Sequence, residues 1–163
     1  MQFSGKYLFY ADRLAVWNAL NDVHVLKTAI PGCSNLQWSG SNTLDLTLSV
    51  NLGLMSPKFA GDLRLDDVDP THSYTLYGKG RGGVLGLAEG GANILLEDSP
   101  VGTLMTMRAT GAASSTIMSL GQKLVGRTAQ GVIDRFFERF ADAMDSRIEI
   151  LDPPELELVQ SDR

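Results

Sequence analysis

The chain has 163 residues, enough for one domain that buries about two-thirds of its unfolded surface in a single core, and too few for two separate cores. Hydrophobic residues make up 44% and charged residues 20%, and the mean hydropathy is −0.01. These values exclude a disordered chain, and no apolar run approaches the ~20 residues of a spanning helix. The formal net charge is −5, with no Lys/Arg cluster along the chain to reverse it locally, so phosphate backbones are repelled and a nucleic-acid partner is not expected.

Residues Gln2 to Tyr10 read as a first strand, with Phe3, Gly5, Tyr7 and Phe9 as its buried face. Asp12 is placed to cap a helix over Arg13 to Asn21, with Leu14, Trp17 and Ala15/Leu20 at helical spacing. A second short helix over Val23 to Ala29 stops before Pro31-Gly32. From Asn35 the period becomes two, most clearly where Leu44, Leu46, Leu48, Val50 and Leu52 alternate with polar residues. Alternation continues over Lys58 to Asp66, Ser73 to Gly80, Ala88 to Glu97 and Thr103 to Gly111, broken by turn signals at Asp69-Pro70, Gly82-Gly83 and Ser99-Pro100. The segment from Ser115 to about Asp145 carries Met118, Val125, Ala129, Val132, Ile133, Phe136, Phe140 and Met144 as one helical stripe. Residues 1–146 are thus expected to form the domain, and 147–163 an acidic, mobile tail outside the core.

Consecutive strands have no helices between them, which excludes a parallel α/β sheet and predicts an α+β fold: a curved antiparallel sheet wrapped on one long C-terminal helix. A curved sheet meets a straight helix along only part of its length, and the gap left is a natural apolar pocket. Its expected wall is Leu46, Leu48, Phe59, Leu63, Tyr74, Leu76, Ile94, Met105, Met107, Met118 and Val125. Gly121, Gly126 and Gly131 fall inside the predicted helix, each costing about 0.8–1.0 kcal/mol relative to Ala, and close packing or cavity room would offset them.

The stretch from Gly78 to Gly86 superficially suggests a phosphate cradle, but no Gly-Lys-Ser/Thr opens a helix there. Gly82, Gly83, Val84, Leu85 and Gly86 instead read as an apolar flap that gates the pocket. His24 and His72 lack partners at metal-ligand spacing, so no metal site is expected. Cys33, the sole cysteine, has no local catalytic signature; it rules out an internal disulfide and fits a reducing compartment. The N-terminal stretch lacks the pattern of a signal peptide, and a cytoplasmic location is expected. The dry strand faces carry no paired acids for general acid/base work, and no cofactor is expected.

Several local signatures then coincide: Ala15-Val16-Trp17-Asn18-Ala19-Leu20, Ile30-Pro31-Gly32-Cys33, the run from Tyr74 to Gly83, and the helix from Leu120-Gly121 through Phe136-Phe137. Together, from Met1 to about Met144, the chain resembles the carbon monoxide dehydrogenase CoxG family of the START-like, polyketide cyclase/dehydrase superfamily. The resemblance implies a helix-grip domain that binds a lipophilic ligand such as a quinone or lipid. It also implies a link between a molybdenum-containing CO dehydrogenase-type hydroxylase and the membrane or its quinone pool. Members with a membrane role often carry a longer anchored extension, whereas this sequence closes on the acidic run Asp152 to Arg163.

The reading that results is a non-enzymatic carrier or accessory protein, with at most peripheral membrane contact at the inner face and with a homodimer allowed. One rival is a cyclase or dehydratase using Tyr74, Tyr77 or a bound water in the same cavity. Another is a pure interaction subunit whose cavity has collapsed.

Overall fold

A computed structural model of the protein describes residues 1–157. Eight strands form one sheet: β1 (Gln2–Phe9), β2 (Cys33–Trp38), β3 (Thr43–Ser49), β4 (Lys58–Asp69), β5 (Ser73–Arg81), β6 (Leu87–Ser99), β7 (Gly102–Ala113) and β8 (Ile148–Glu157). The sheet order is β2-β3-β4-β5-β6-β7-β1-β8, antiparallel throughout. Five consecutive hairpins join β2 to β7, as the short connections require, and β1 closes against β7 in register from Gln2↔Thr110 to Phe9↔Thr103. This is the helix-grip arrangement.

Two helices, α1 (Arg13–Leu20) and α2 (Val23–Ala29), separate β1 from the meander. Asp12 caps α1 by accepting from the Ala15 N–H at 2.7 Å, and Asp22 caps α2 by accepting from the His24 N–H at 2.9 Å. The buried stripe of α1 is Val16, Ala19 and Leu20. Leu14, expected to face inward, is 58% exposed, because the i, i+3, i+4 triplet that meets the sheet starts two residues later.

The predicted C-terminal helix is two helices. Ser114 caps the short α3 (Ser115–Met118) by accepting from the Ile117 N–H at 3.1 Å, and α4 (Gln122–Ala143) follows. Gly121 is the joint between them, with φ 112°, a conformation that a residue with a Cβ strongly resists. Its helix-interior cost therefore does not arise, while Gly126 and Gly131 remain inside α4.

The stretch expected to be a tail outside the core is, over Ile148–Glu157, the edge strand β8 along β1, with Phe9↔Ile148 and Gln2↔Glu157 as the end pairs. The domain therefore does not stop at residue 146. Its acidic sequence lacks the alternation of a half-buried strand, and an edge strand needs none, since backbone pairing with its one neighbour holds it and charged residues are common at a sheet rim. Tyr10 donates to Glu149 at 2.8 Å, with the Arg147 guanidinium 4.8 Å from the Tyr10 ring centroid, where β8 begins. The last part of the expected tail, 158–163, lies outside the described residues.

The main core lies at the end of the sheet covered by α1, α2 and the second half of α4. Phe137 stacks on Tyr7 at 3.9 Å between centroids, and Phe140 meets Phe9 edge-on at 5.7 Å. Phe9, Met105, Val16 and Phe140 are fully buried, and loss of a core Phe side chain of this kind costs about 3–5 kcal/mol. A second cluster, Leu52, Phe59, Leu85, Ile117 and Val125, holds the opposite end.

Candidate functional site

Between the two clusters lies a cavity of about 450 Å³, within the usual range for small-molecule sites. Its origin is legible strand by strand. Alternate residues face the interior, and along β4 to β7 these inward positions pass from large to small. β4 runs from Leu65 through Leu63 to Gly61 before the large Phe59 closes the far end, and β5 from Tyr74 through Leu76 to Gly78 and Gly80. In β6, Leu96 and Ile94 give way to Ala92, Gly90 and Ala88, and in β7, Met105 and Met107 to Ala109, Gly111 and Ala113. The large residues fill one half of the interior; the missing side chains empty the other.

Leu46, Leu48, Phe59, Leu63, Leu76 and Val125 line the cavity, as do Val50, Leu52 and Ile117, with Thr128, Ala129, Val132 and Ile133 of α4 opposite. Tyr74, Ile94, Met105 and Met107 do not line it. They lie on the same sheet face but in the filled half, within the main core. Met118 also stands off the wall, packed against the second cluster. The lining missed in the sequence is the small one, Gly61, Gly78, Gly80, Ala92, Ala109 and Gly111. Its signal was the repeated step from bulky to Gly/Ala at inward positions of successive strands.

Space and close approach are distinct reasons for these glycines. At Gly61 a Cβ would run into the Lys79 carbonyl oxygen of the neighbouring strand, so glycine there permits strand contact. At Gly111 the nearest foreign atom to a built Cβ is the Glu89 carbonyl oxygen at 3.9 Å, so glycine there leaves room.

Polar groups are few in the lining. The Thr128 hydroxyl donates to the Leu124 carbonyl at 2.9 Å within α4, while Lys79 and Glu89 are exposed and cross-strand neighbours. The two tyrosines that a catalytic reading would use lie elsewhere. Tyr74 is buried edge-on to Trp17, and desolvation pushes its phenol well above the ordinary range. Tyr77 points to the outward face, with the Arg64 guanidinium 5.0 Å from its ring centroid, and lines a separate, more polar hollow of about 740 Å³ that includes Lys6, Asn93 and Arg108. Burial raises the Cys33 thiol as well, which leaves less of the reactive thiolate. His72 accepts from Arg13 at 2.8 Å, and His24 stands on exposed α2.

Of the expected flap, Gly83–Leu85 is one 3-10 turn. Gly82 is buried under the Phe59 ring, Val84 is 96% exposed, and Leu85 is buried in the second cluster. The Ser114 hydroxyl, besides capping α3, donates to the Leu85 carbonyl and ties the turn to the start of the helical segment. Gly86, with φ 81°, closes the turn.

Sequence comparison accords with this architecture: the family model for the carbon monoxide dehydrogenase CoxG subunit matches residues 5–145. The chain belongs to the CoxG family. A conserved protein from Geobacillus kaustophilus is similar to this CoxG family member, with a TM-score of 0.81 and 22% identity over 91% of this chain and 99% of that one. TTHA0849 from Thermus thermophilus gives 0.65 and 13% over 88% and 97%. Ara h 8.0201 gives 0.60 and 11% over 89% and 99%. At these identities the likeness is one of fold. No curated protein shows significant similarity to the chain. Among the described residues no helix is long and apolar enough to cross a membrane.

Proposed function

We infer that this protein is a carrier or accessory protein whose cavity takes up one lipophilic molecule, without transforming it. The observation that supports this most is the space left inside: mainly apolar side chains and glycines surround about 450 Å³, and neither Tyr74 nor Tyr77 is among its lining residues. Leu46, Leu48, Phe59, Leu63, Leu76 and Val125 then contact the ligand, and the Gly82–Gly86 turn gates its passage. The open space over Gly111 suits a flat group laid on the sheet, with an aliphatic chain along α4.

Membership in a family named for a component of carbon monoxide dehydrogenase supports finer readings. The ligand is a quinone or a similar lipid, the partner a molybdenum hydroxylase of the CO dehydrogenase class, and the site of action the cytoplasmic face of the membrane. A quinone suits such a partner because it accepts the electrons that a hydroxylase releases.

Native mass spectrometry of the purified protein tests the carrier reading. A single additional lipophilic mass per chain, removable by organic extraction and restored by adding the extract back, is expected. A chain that carries none and takes up no quinone or lipid offered to it contradicts the reading. Turnover of an offered substrate, lost in Tyr74→Phe, would place the protein among the cyclase-type enzymes instead.

A further inference from the structure

The outward face of the sheet carries a second concavity, the hollow of about 740 Å³ over β5, β6, β7 and β1, which is of the size that small-molecule sites have. We propose that this hollow binds a small organic oxyanion with a flat ring, an aryl phosphate or aryl carboxylate, gripped through Arg108. Arg108 stands exposed on β7, inside the sheet rather than at its rim. Asn93 and Ser4 lie opposite it on the two neighbouring strands, and Thr106 and Thr110 flank it along its own. None of its diagonal neighbours is acidic, and one of them, Lys6, is a second exposed cation. Among the described residues no carboxylate lines the hollow.

Two other cations of the same face show the ordinary arrangement. Arg64 holds Asp66 at 2.8 Å, and Lys79 stands between Asp62 and Glu89 in the register. Arg108 has no such neighbour in a chain of net −5. Asp152 and Glu155 come next in the register, opposite Lys6 and Ser4, on β8 two strands from Arg108. Two like charges on one diagonal repel, and an anion set between them relieves that repulsion. A guanidinium offers paired N–H donors that match a carboxylate or phosphate, and the short Ser and Thr side chains around Arg108 leave such a group room. The Thr75 hydroxyl donates to the Asn93 side-chain oxygen at 3.0 Å, which leaves the Asn93 amide nitrogen to donate to the ligand. Tyr77, 46% exposed, forms the wall on the β5 side. A Cβ built at Gly91 would stand 3.3 Å from the Tyr77 ring, so glycine there lets the ring lie against the sheet. A ring on the ligand then packs against Tyr77 while its oxyanion meets Arg108.

The test is titration of the isotope-labelled full chain with phenyl phosphate and with benzoate, followed by amide NMR shifts. For at least one of them, saturable shifts are expected at Ser4, Lys6, Gly91, Asn93 and Arg108, with an affinity at least about tenfold above that for inorganic phosphate or for phenol. Arg108→Gln should weaken binding about tenfold and Tyr77→Ala several-fold, with the fold of each variant read from the same spectra. Arg127→Gln removes an exposed cation of α4 outside the hollow and should match the parent. Silence with both ligands, shifts confined to the inner wall at Leu46, Val125 and Ile133, or equal losses in Arg108→Gln and Arg127→Gln overturns the proposal. Inorganic phosphate bound as tightly as the aryl compounds also overturns it. Capture of an acidic protein through Arg108, without a response to either compound, makes the face a protein interface and overturns it as well. The carrier reading is independent of these outcomes, because a neutral apolar probe of the inner cavity tests it separately.

Discussion

Tyr74 shows how much the fate of one side chain depends on its place along a strand. It shares the inward face of β5 with Leu76, yet it belongs to the filled core while Leu76 lines the cavity. Burial raises its pKa above the ordinary value of 10.0, which means that the unfolded chain ionises first as pH climbs. Stability from this group is complete below about pH 10 and falls as pH rises from there toward the folded-state value. In urea unfolding, Tyr74→Phe should flatten that alkaline loss and leave probe binding unchanged. An equal alkaline slope in both proteins, or lost binding, would contradict the placement. Met105 and Met107 carry the same lesson. Alternation in the sequence marks the dry face correctly, but how deep along the sheet each dry residue sits depends on where α4 crosses, which no local pattern encodes.

At the scale of elements, strand period, cap residues and hairpin turns were strong local signals. β2 to β7 and the helices α1 and α2 could therefore be read from the chain with small shifts at their ends. The break at Gly121 was not legible, because apolar periodicity runs through α3 and α4 as if they were one, and only the positive φ of the glycine separates them. β8 was missed because an edge strand that holds on through its backbone carries no apolar alternation. The coupling of the Gly83–Leu85 turn to α3 through one hydroxyl is a tertiary contact that sequence reasoning could not anticipate. If that turn gates the cavity, Ser114→Ala releases it from the helix start. Stopped-flow exchange of a bound apolar probe should then speed up several-fold, with a stability loss of about 0.5–2 kcal/mol from the missing cap. Unchanged exchange would remove the turn from the gate.

Across the whole molecule, one grading of side-chain size divides the interior into a core that holds the fold and a space that holds a ligand. The expectation of a cavity rests on the mismatch of curved sheet and straight helix; the structure adds that Gly and Ala stand at inward lining positions of β5, β6 and β7. The claim on which the function depends is that the emptied space is used. Gly111→Leu addresses it directly, because a side chain there enters open room and replaces a glycine that weakens its strand. Titration of parent and variant with the same apolar probe, alongside thermal melts, is the decisive measurement. The account predicts at least tenfold weaker binding with a melting temperature equal to or above the parent's; undiminished binding by a stably folded Gly111→Leu protein would contradict it.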